Sequence, residues 1–164
     1  MLVKYFGARA ISTDLIPARV KKALAVGAEA AFDARDPDLT AKIQALTNGM
    51  GVDTSILAVP SDKAFFQALD CTRKGGKILF FAEFPDELEI PINPNVLYRR
   101  EIDLIGSYSS SFKVQALSAD LVFNRRIDVD ALISDRYHLK DLDKALAQAT
   151  QPTSETYKIL LHND

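Results

Sequence analysis

Apolar positions along the chain fall into two alternating patterns, short continuous runs and one-faced helical repeats. Ala8–Thr13 is a short apolar run centred near Ile11 and closed by Asp14, as expected of a buried parallel strand. In "LIPARVKKALAVGAE" Pro17 suits a first helical turn, Val20, Leu24 and Val26 supply an apolar face, and Gly27 stops the helix. Ala30–Ala34 is a second strand, and "DPDLTAKIQALTNGMG" is a helix through Leu39, Ile43 and Leu46 that ends at Asn48-Gly49. "VDTSILAVPS" is a strand ended by Pro60-Ser61. It leads into "DKAFFQALDCTRKGG", helical through Ala64, Phe65, Ala68 and Leu69. "GGKILFFAEF" is a strand entered through Gly75-Gly76 and buried on both faces, with Phe65-Phe66 and Phe80-Phe81 expected in the core.

"DELEIPIN" reads as an edge segment, because Pro91 and Pro94 cannot donate to a ladder. "PNVLYRRE" is a short helix and "IDLIGSY" a strand that stops at Gly106. From Ser109 the pattern changes to a Ser-capped helix, "SSSFKVQALSADLVFNRR", then an extended "DALISDRYHL", a helix "KDLDKALAQAT" and a terminal strand "TYKILLH". Strands alternating with helices imply right-handed β-α-β units around a parallel sheet, an α/β fold.

Composition narrows the function classes. At 164 residues, 48% hydrophobic and 26% charged, the chain fits one globular domain of ordinary size, and no apolar run approaches the roughly 20 residues of a membrane span. The 20 Lys+Arg against 22 Asp+Glu form no basic stripe, which argues against nucleic acid as a partner. One cysteine, Cys71, precludes an internal disulfide or a zinc-binding Cys cluster, and no secretory pattern opens the chain. A cytoplasmic protein is expected.

Asp14 is the first residue with candidate chemistry. In a doubly wound nucleotide fold, the acid at the end of the second strand takes both hydroxyls of an adenosine ribose and repels a 2′-phosphate. Arg19, one helical turn later, is placed to reach the same ribose or a neighbouring phosphate. The competing reading makes Asp14 a helix cap and Arg19 a solvated cation. The acids of "DARDPD" suit helix capping, and "GSYSSS" suits either capping or a phosphate at a helix N-terminus. Zinc catalysis needs about three protein ligands, and Cys71, His138 and His162 are scattered along the chain. Cys71 reads as a small core residue, His138 as a surface or capping residue, and His162 as part of a frayed end.

The pieces "TDL…R…KA…GA", "LTNGMGVD", "ALDCTRKGGKIL" and "REIDLIGSY", in this order, resemble the cofactor domain of medium-chain, zinc-dependent alcohol and polyol dehydrogenases, the group of sorbitol and threonine dehydrogenases. The resemblance runs from about Tyr5 to the C-terminus. It implies that "MLVKYFGA" is the tail of the first helix of a cofactor domain whose first strand and Gly-rich loop stand upstream. The expected fold is a Rossmann-like doubly wound parallel sheet lacking its first, central strand. Residues 1–110 would be a truncated NAD-binding domain, and residues 111–164 the helices and strand that in the family pack back on a catalytic domain.

Carried over by position, the resemblance implies NAD as cofactor, with Asp14 and Arg19 at the adenosine ribose. Ala58-Val59-Pro60 would lie under the nicotinamide-side ribose, Phe81-Ala82 at the nicotinamide amide, and Lys158 near the pyrophosphate. Relatives usually have Gly where Pro60 and Ala82 stand. A proline has no N–H, and an added side chain limits close approach to a cofactor. The implied activity is hydride transfer between a secondary alcohol or polyol and nicotinamide, with zinc held outside this chain. Weak NAD binding, no activity of the chain alone, and a homo-oligomer covering unpaired strand edges are also expected. The alternative is a non-catalytic, degenerate nucleotide-binding or oligomerisation module.

Overall fold

The computed structural model describes residues 1–163, and the two sequence periodicities become strands and helices in the expected order. A helical turn, α1 (Leu2–Tyr5), precedes β1 (Ile11–Asp14), α2 (Pro17–Ala25) and β2 (Ala30–Asp33). Pro17 stands at the first helical position of α2, where a missing N–H costs nothing, and Gly27 turns the chain at φ +100°. β1 and β2 run parallel, in a register that sets Asp14 beside Asp33 at their carboxyl ends.

The next stretch builds the larger sheet. It comprises α3 (Leu39–Leu46), β3 (Val52–Leu57), α4 (Asp62–Cys71), β4 (Thr72–Phe80), α5 (Pro94–Arg100) and β5 (Asp103–Gly106), with strand order β3-β4-β5, all parallel. Ser61 caps α4 by accepting the Ala64 N–H. The strand after α4 begins three residues earlier than the expected entry at Gly75-Gly76. Val52 pairs with Thr72 but Thr54 with Lys77, so β4 carries an irregularity across Arg73–Gly76. Gly76 makes this possible, because a Cβ there would lie 2.6 Å from Thr72 Cγ2 and 2.8 Å from the Arg73 carbonyl oxygen. The "DELEIPIN" segment, expected as an edge segment, forms no strand: Pro91 lacks the N–H that a ladder needs, and Pro94 opens α5 instead.

The chain closes with α6 (Phe112–Phe123), β6 (Ile133–His138), α7 (Leu142–Thr150) and β7 (Lys158–His162). Ser111 caps α6 through the Lys113 N–H. β6 and β7 are parallel neighbours joined through α7, another β-α-β unit.

The chain divides into two compact units. One is Met1–Asp36 together with the residues from Ser111 on; the other is Pro37–Ser110. The second holds a dense core of Leu57, Phe65, Leu69, Ile78 and Ile102, with Phe80, Phe84, Val96 and Leu97 packed against it. Phe65 and Phe80 stack with ring centroids 5.7 Å apart. Phe66 and Phe81, also expected in the core, are 40% and 64% exposed. Phe66 sits about 100° around α4 from Phe65, and Phe81 lies beyond the end of β4. In the first unit Leu121 and Ala145 are the buried hydrophobics among the described residues.

The described residues contain three parallel sheets, β1-β2, β3-β4-β5 and β6-β7. The fold is therefore a Rossmann-like α/β fold with parallel sheets.

Candidate functional site

Ligands of open parallel sheets bind at the carboxyl ends of the strands, and each unit presents candidate residues there. In the first unit Asp14 ends β1 and is half-buried. Its Oδ1 accepts the Ile16 N–H at 2.9 Å, which fixes the carboxylate at the turn into α2. Its Oδ2 makes no hydrogen bond among the described residues. Asp14 is not the cap of α2, whose N-cap position is Ile16 with no side-chain cap bond; one carboxylate oxygen holds the turn before the helix and the other remains as an acceptor. The half-buried Arg19 guanidinium, on the first turn of α2, has no hydrogen-bond or ion-pair partner among the described residues.

At the same level, Asp33 ends β2 and holds Arg35. Arg35 Nε donates to Oδ1 at 2.9 Å and Nη2 to Oδ2 at 2.7 Å, and the Arg35 backbone N–H also donates to Oδ1. These hydrogen bonds, led by those of the guanidinium, lower the Asp33 pKa to about 2. Arg35 Nη2 also donates to the Leu15 carbonyl at 3.1 Å, which lays the guanidinium over the turn that follows Asp14. The acid cluster was expected to cap a helix. Instead Asp33 serves Arg35, and Asp38 at the start of α3 makes no side-chain cap bond.

The C-terminal segment reaches the same helix. Tyr157 Oη donates to the Ala18 carbonyl at 3.2 Å, across 139 positions of sequence, and Lys22 Nζ lies 5.4 Å from the Tyr157 ring centroid. Ser134 Oγ accepts the Tyr157 N–H and donates to Asp135 Oδ2 at 2.6 Å, with the Lys158 carbonyl 3.3 Å away. Lys158 opens β7, with its side chain exposed.

In the second unit Ala58, Val59 and Pro60 follow β3, and Phe81 and Ala82 follow β4. The structure brings these loops together, because the Phe81 and Ala82 N–H groups both donate to the Leu57 carbonyl, at 3.1 and 2.8 Å. An open cleft of about 720 Å³ lies at this end of the sheet, lined by Phe80–Glu83 and Gly106–Ser109. Pro60 has no N–H to donate, and the Phe81 and Ala82 donors are already engaged by Leu57.

The metal candidates fare differently. Cys71 is buried, 3.6 Å from Thr40 Oγ1, and burial pushes its thiol pKa up, as for a small core residue. His138 and His162, expected to be scattered and frayed, are register partners on β6 and β7 with ring centroids 5.7 Å apart. Parallel pairing of the two strands joins them. His138 also accepts the Lys140 N–H on Nδ1, a capping role. No group of three or more His, Cys, Asp or Glu able to hold a metal ion occurs among the described residues. The residues present therefore do not fit a catalytic zinc.

The family model described as "Zinc-binding dehydrogenase" matches residues 1–124. The chain belongs to the zinc-binding dehydrogenases. It is 30% identical over 164 residues to the sorbitol dehydrogenase of Bacillus subtilis (strain 168), covering 97% of this chain and 45% of that protein. Among solved structures, a Sinorhizobium meliloti 1021 protein assigned as a zinc-binding dehydrogenase and bound to NADP superposes with TM-score 0.87 at 26% identity, covering 98% of this chain and 47% of that one. The 2R,3R-butanediol dehydrogenase of Bacillus subtilis superposes with TM-score 0.83 at 24% identity, covering 99% and 46%. The chain thus spans less than half the length of these relatives and corresponds to their cofactor-binding part. No described helix is long and apolar enough to cross a membrane.

The sequence pointed to Asp14 and Arg19 but not to Arg35 or Tyr157. Arg35 acquires its place through the β1-β2 register. Tyr157 acquires its place through a contact no local pattern encodes.

Proposed function

We propose that this chain is the cofactor-binding part of an NAD(P)-dependent oxidoreductase that transfers hydride between a secondary alcohol or polyol and nicotinamide. The observation that carries this reading is Asp14, a half-buried carboxylate at the end of a parallel strand, with one oxygen spent on the turn and the other left to accept. That acceptor fits a nucleotide ribose, whose hydroxyls are hydrogen-bond donors. Arg19 adds a cation beside the ribose, and Lys158, on the strand tied to α2 through Tyr157, is a second cation for the phosphates. Ala58–Pro60 and Phe81-Ala82 receive the nicotinamide end in this reading. When bound, the cofactor supplies the hydride acceptor. The residues of this chain bind and orient it.

The zinc of the family and the alcohol-binding groups would come from outside these residues, so the chain alone is expected to be inactive. Exposed apolar side chains on α6, with Phe112 79% and Phe123 83% exposed, support its assembly into a homo-oligomer.

One observation favours a non-catalytic, degenerate module instead. Pro60 lacks a donor, and both N–H groups at Phe81-Ala82 are consumed by Leu57. A chimera that joins the N-terminal part of the Bacillus subtilis sorbitol dehydrogenase to this chain separates the two readings. Polyol-dependent formation of NADH supports the oxidoreductase. A folded chimera that binds NAD without turnover supports the module.

A further inference from the structure

The two histidines of the chain have no part in the dinucleotide reading, yet they meet. His138 ends β6 and His162 ends β7, and the parallel register makes them partners. Register partners on neighbouring strands point to the same face, and here both residues are half-buried with ring centroids 5.7 Å apart. Two imidazoles on one metal ion, each bound through nitrogen at about 2.1 Å, hold their centroids about 5 Å apart. A small side-chain adjustment therefore lets the pair share an ion. Two positions back on that face, Arg136 is already paired with Asp130 at 3.1 Å. Asp141 is close enough for its carboxyl to feel the charge of His138, but it is engaged by Lys144 Nζ at 2.7 Å and is not counted as a third ligand.

We propose that His138 and His162 form a two-imidazole site for a divalent transition-metal ion, with Cu²⁺ held more tightly than Ni²⁺ or Zn²⁺ and water completing the coordination. Imidazole suits these ions, and Cu²⁺ leads their order of affinity for a given set of ligands. The site is distinct in kind from a catalytic zinc, which takes about three protein ligands. The Lys140 N–H donates to His138 Nδ1 at 3.2 Å, so the neutral ring carries its proton on Nε2. Coordination through Nε2 moves that proton to Nδ1, and the long hydrogen bond from Lys140 is given up. The ion then clips the last residue of β6 to the last residue of β7, the strand that follows Tyr157.

Titration of the full chain with Cu²⁺, followed by electron paramagnetic resonance and by NMR, tests this. The expected spectrum is that of one Cu²⁺ bound by two imidazole nitrogens, with sub-stoichiometric ion broadening the ring protons of His138 and His162 together. Zn²⁺, which is diamagnetic, shifts the Lys140 amide, whereas Mg²⁺, which prefers oxygen ligands, leaves it in place. His138→Gln and His162→Gln each weaken Cu²⁺ binding about tenfold or more, because either change leaves a single imidazole. Spectra of the unaltered chain decide the matter even where a variant folds poorly. A one-nitrogen spectrum, broadening of one histidine without the other, or undiminished Cu²⁺ affinity in either variant overturns the proposal.

Discussion

Removing the Tyr157 hydroxyl should loosen the helix that carries Arg19. In the first unit only Leu121 and Ala145 are buried hydrophobics among the described residues, so specific polar contacts carry a larger share of its cohesion than in a dense core. Tyr157→Phe deletes the hydrogen bond to the Ala18 carbonyl, a loss of about 1 kcal/mol. Tyr157→Ala also deletes the Lys22 contact, about 0.5–1 kcal/mol at a half-exposed site, together with packing of the ring. Its total cost is then roughly 2–3 kcal/mol. A double-mutant cycle between Tyr157→Ala and Lys22→Gln should return a coupling of about 0.5–1 kcal/mol. Urea unfolding followed by circular dichroism gives the global costs, and amide hydrogen exchange in α2 gives the local ones, with protection there falling about fivefold in Tyr157→Phe. Equal exchange of α2 amides in the parent and in both Tyr157 variants, or a coupling indistinguishable from zero, would refute the argument that this tyrosine anchors the helix.

Other outcomes follow from single sites. Gly76→Ala drives a Cβ to within 3.0 Å of Thr72 Cγ2 and two backbone carbonyls, and should cost about 1–3 kcal/mol by chemical denaturation; a neutral variant would mean that the irregularity in β4 is not sterically set. Asp33 has a folded pKa depressed to about 2, below its unfolded value. Its contribution to stability is therefore present above the ordinary carboxylate range and is lost as pH falls through about 2. Carboxyl NMR titration should show that midpoint, and Arg35→Gln should return it toward the ordinary range. Cys71 should resist alkylation at mildly alkaline pH in the native chain and react fully in urea, because burial both shields the thiol and raises its pKa.

Much of the architecture could be read from local pattern because its causes are local. Pro17 at the start of α2, Ser111 as a cap, and Ile78 in a continuous apolar run each act within a few residues of themselves. What could not be read depends on register. The strand entry at Thr72 rather than Gly75 follows from a β3-β4 ladder that skips residues. The meeting of His138 with His162 follows from which residues of β6 and β7 pair. At the candidate site, Asp14 was legible because an acid at the end of a strand before a helix has a recognisable place in this fold. Arg35 was hidden inside a run of acids that suggested capping. Its role depends on the carbonyl of Leu15, twenty positions earlier. The pairing of Tyr157 with Ala18 lies wholly outside any sequence window.

On the proposed reading Asp14 and Arg19 meet the adenosine ribose of a dinucleotide, while the seven glycines of this chain include no G-x-G-x-x-G to cradle its phosphates. Amide NMR titration with NAD⁺ beside 5′-AMP tests it most directly. Both ligands should perturb Leu15–Val20 and Ala31–Arg35, with dissociation constants of about a millimolar or weaker, near −4 kcal/mol, and within several-fold of each other. Micromolar binding of NAD⁺, or binding that leaves those amides unmoved, would contradict the account.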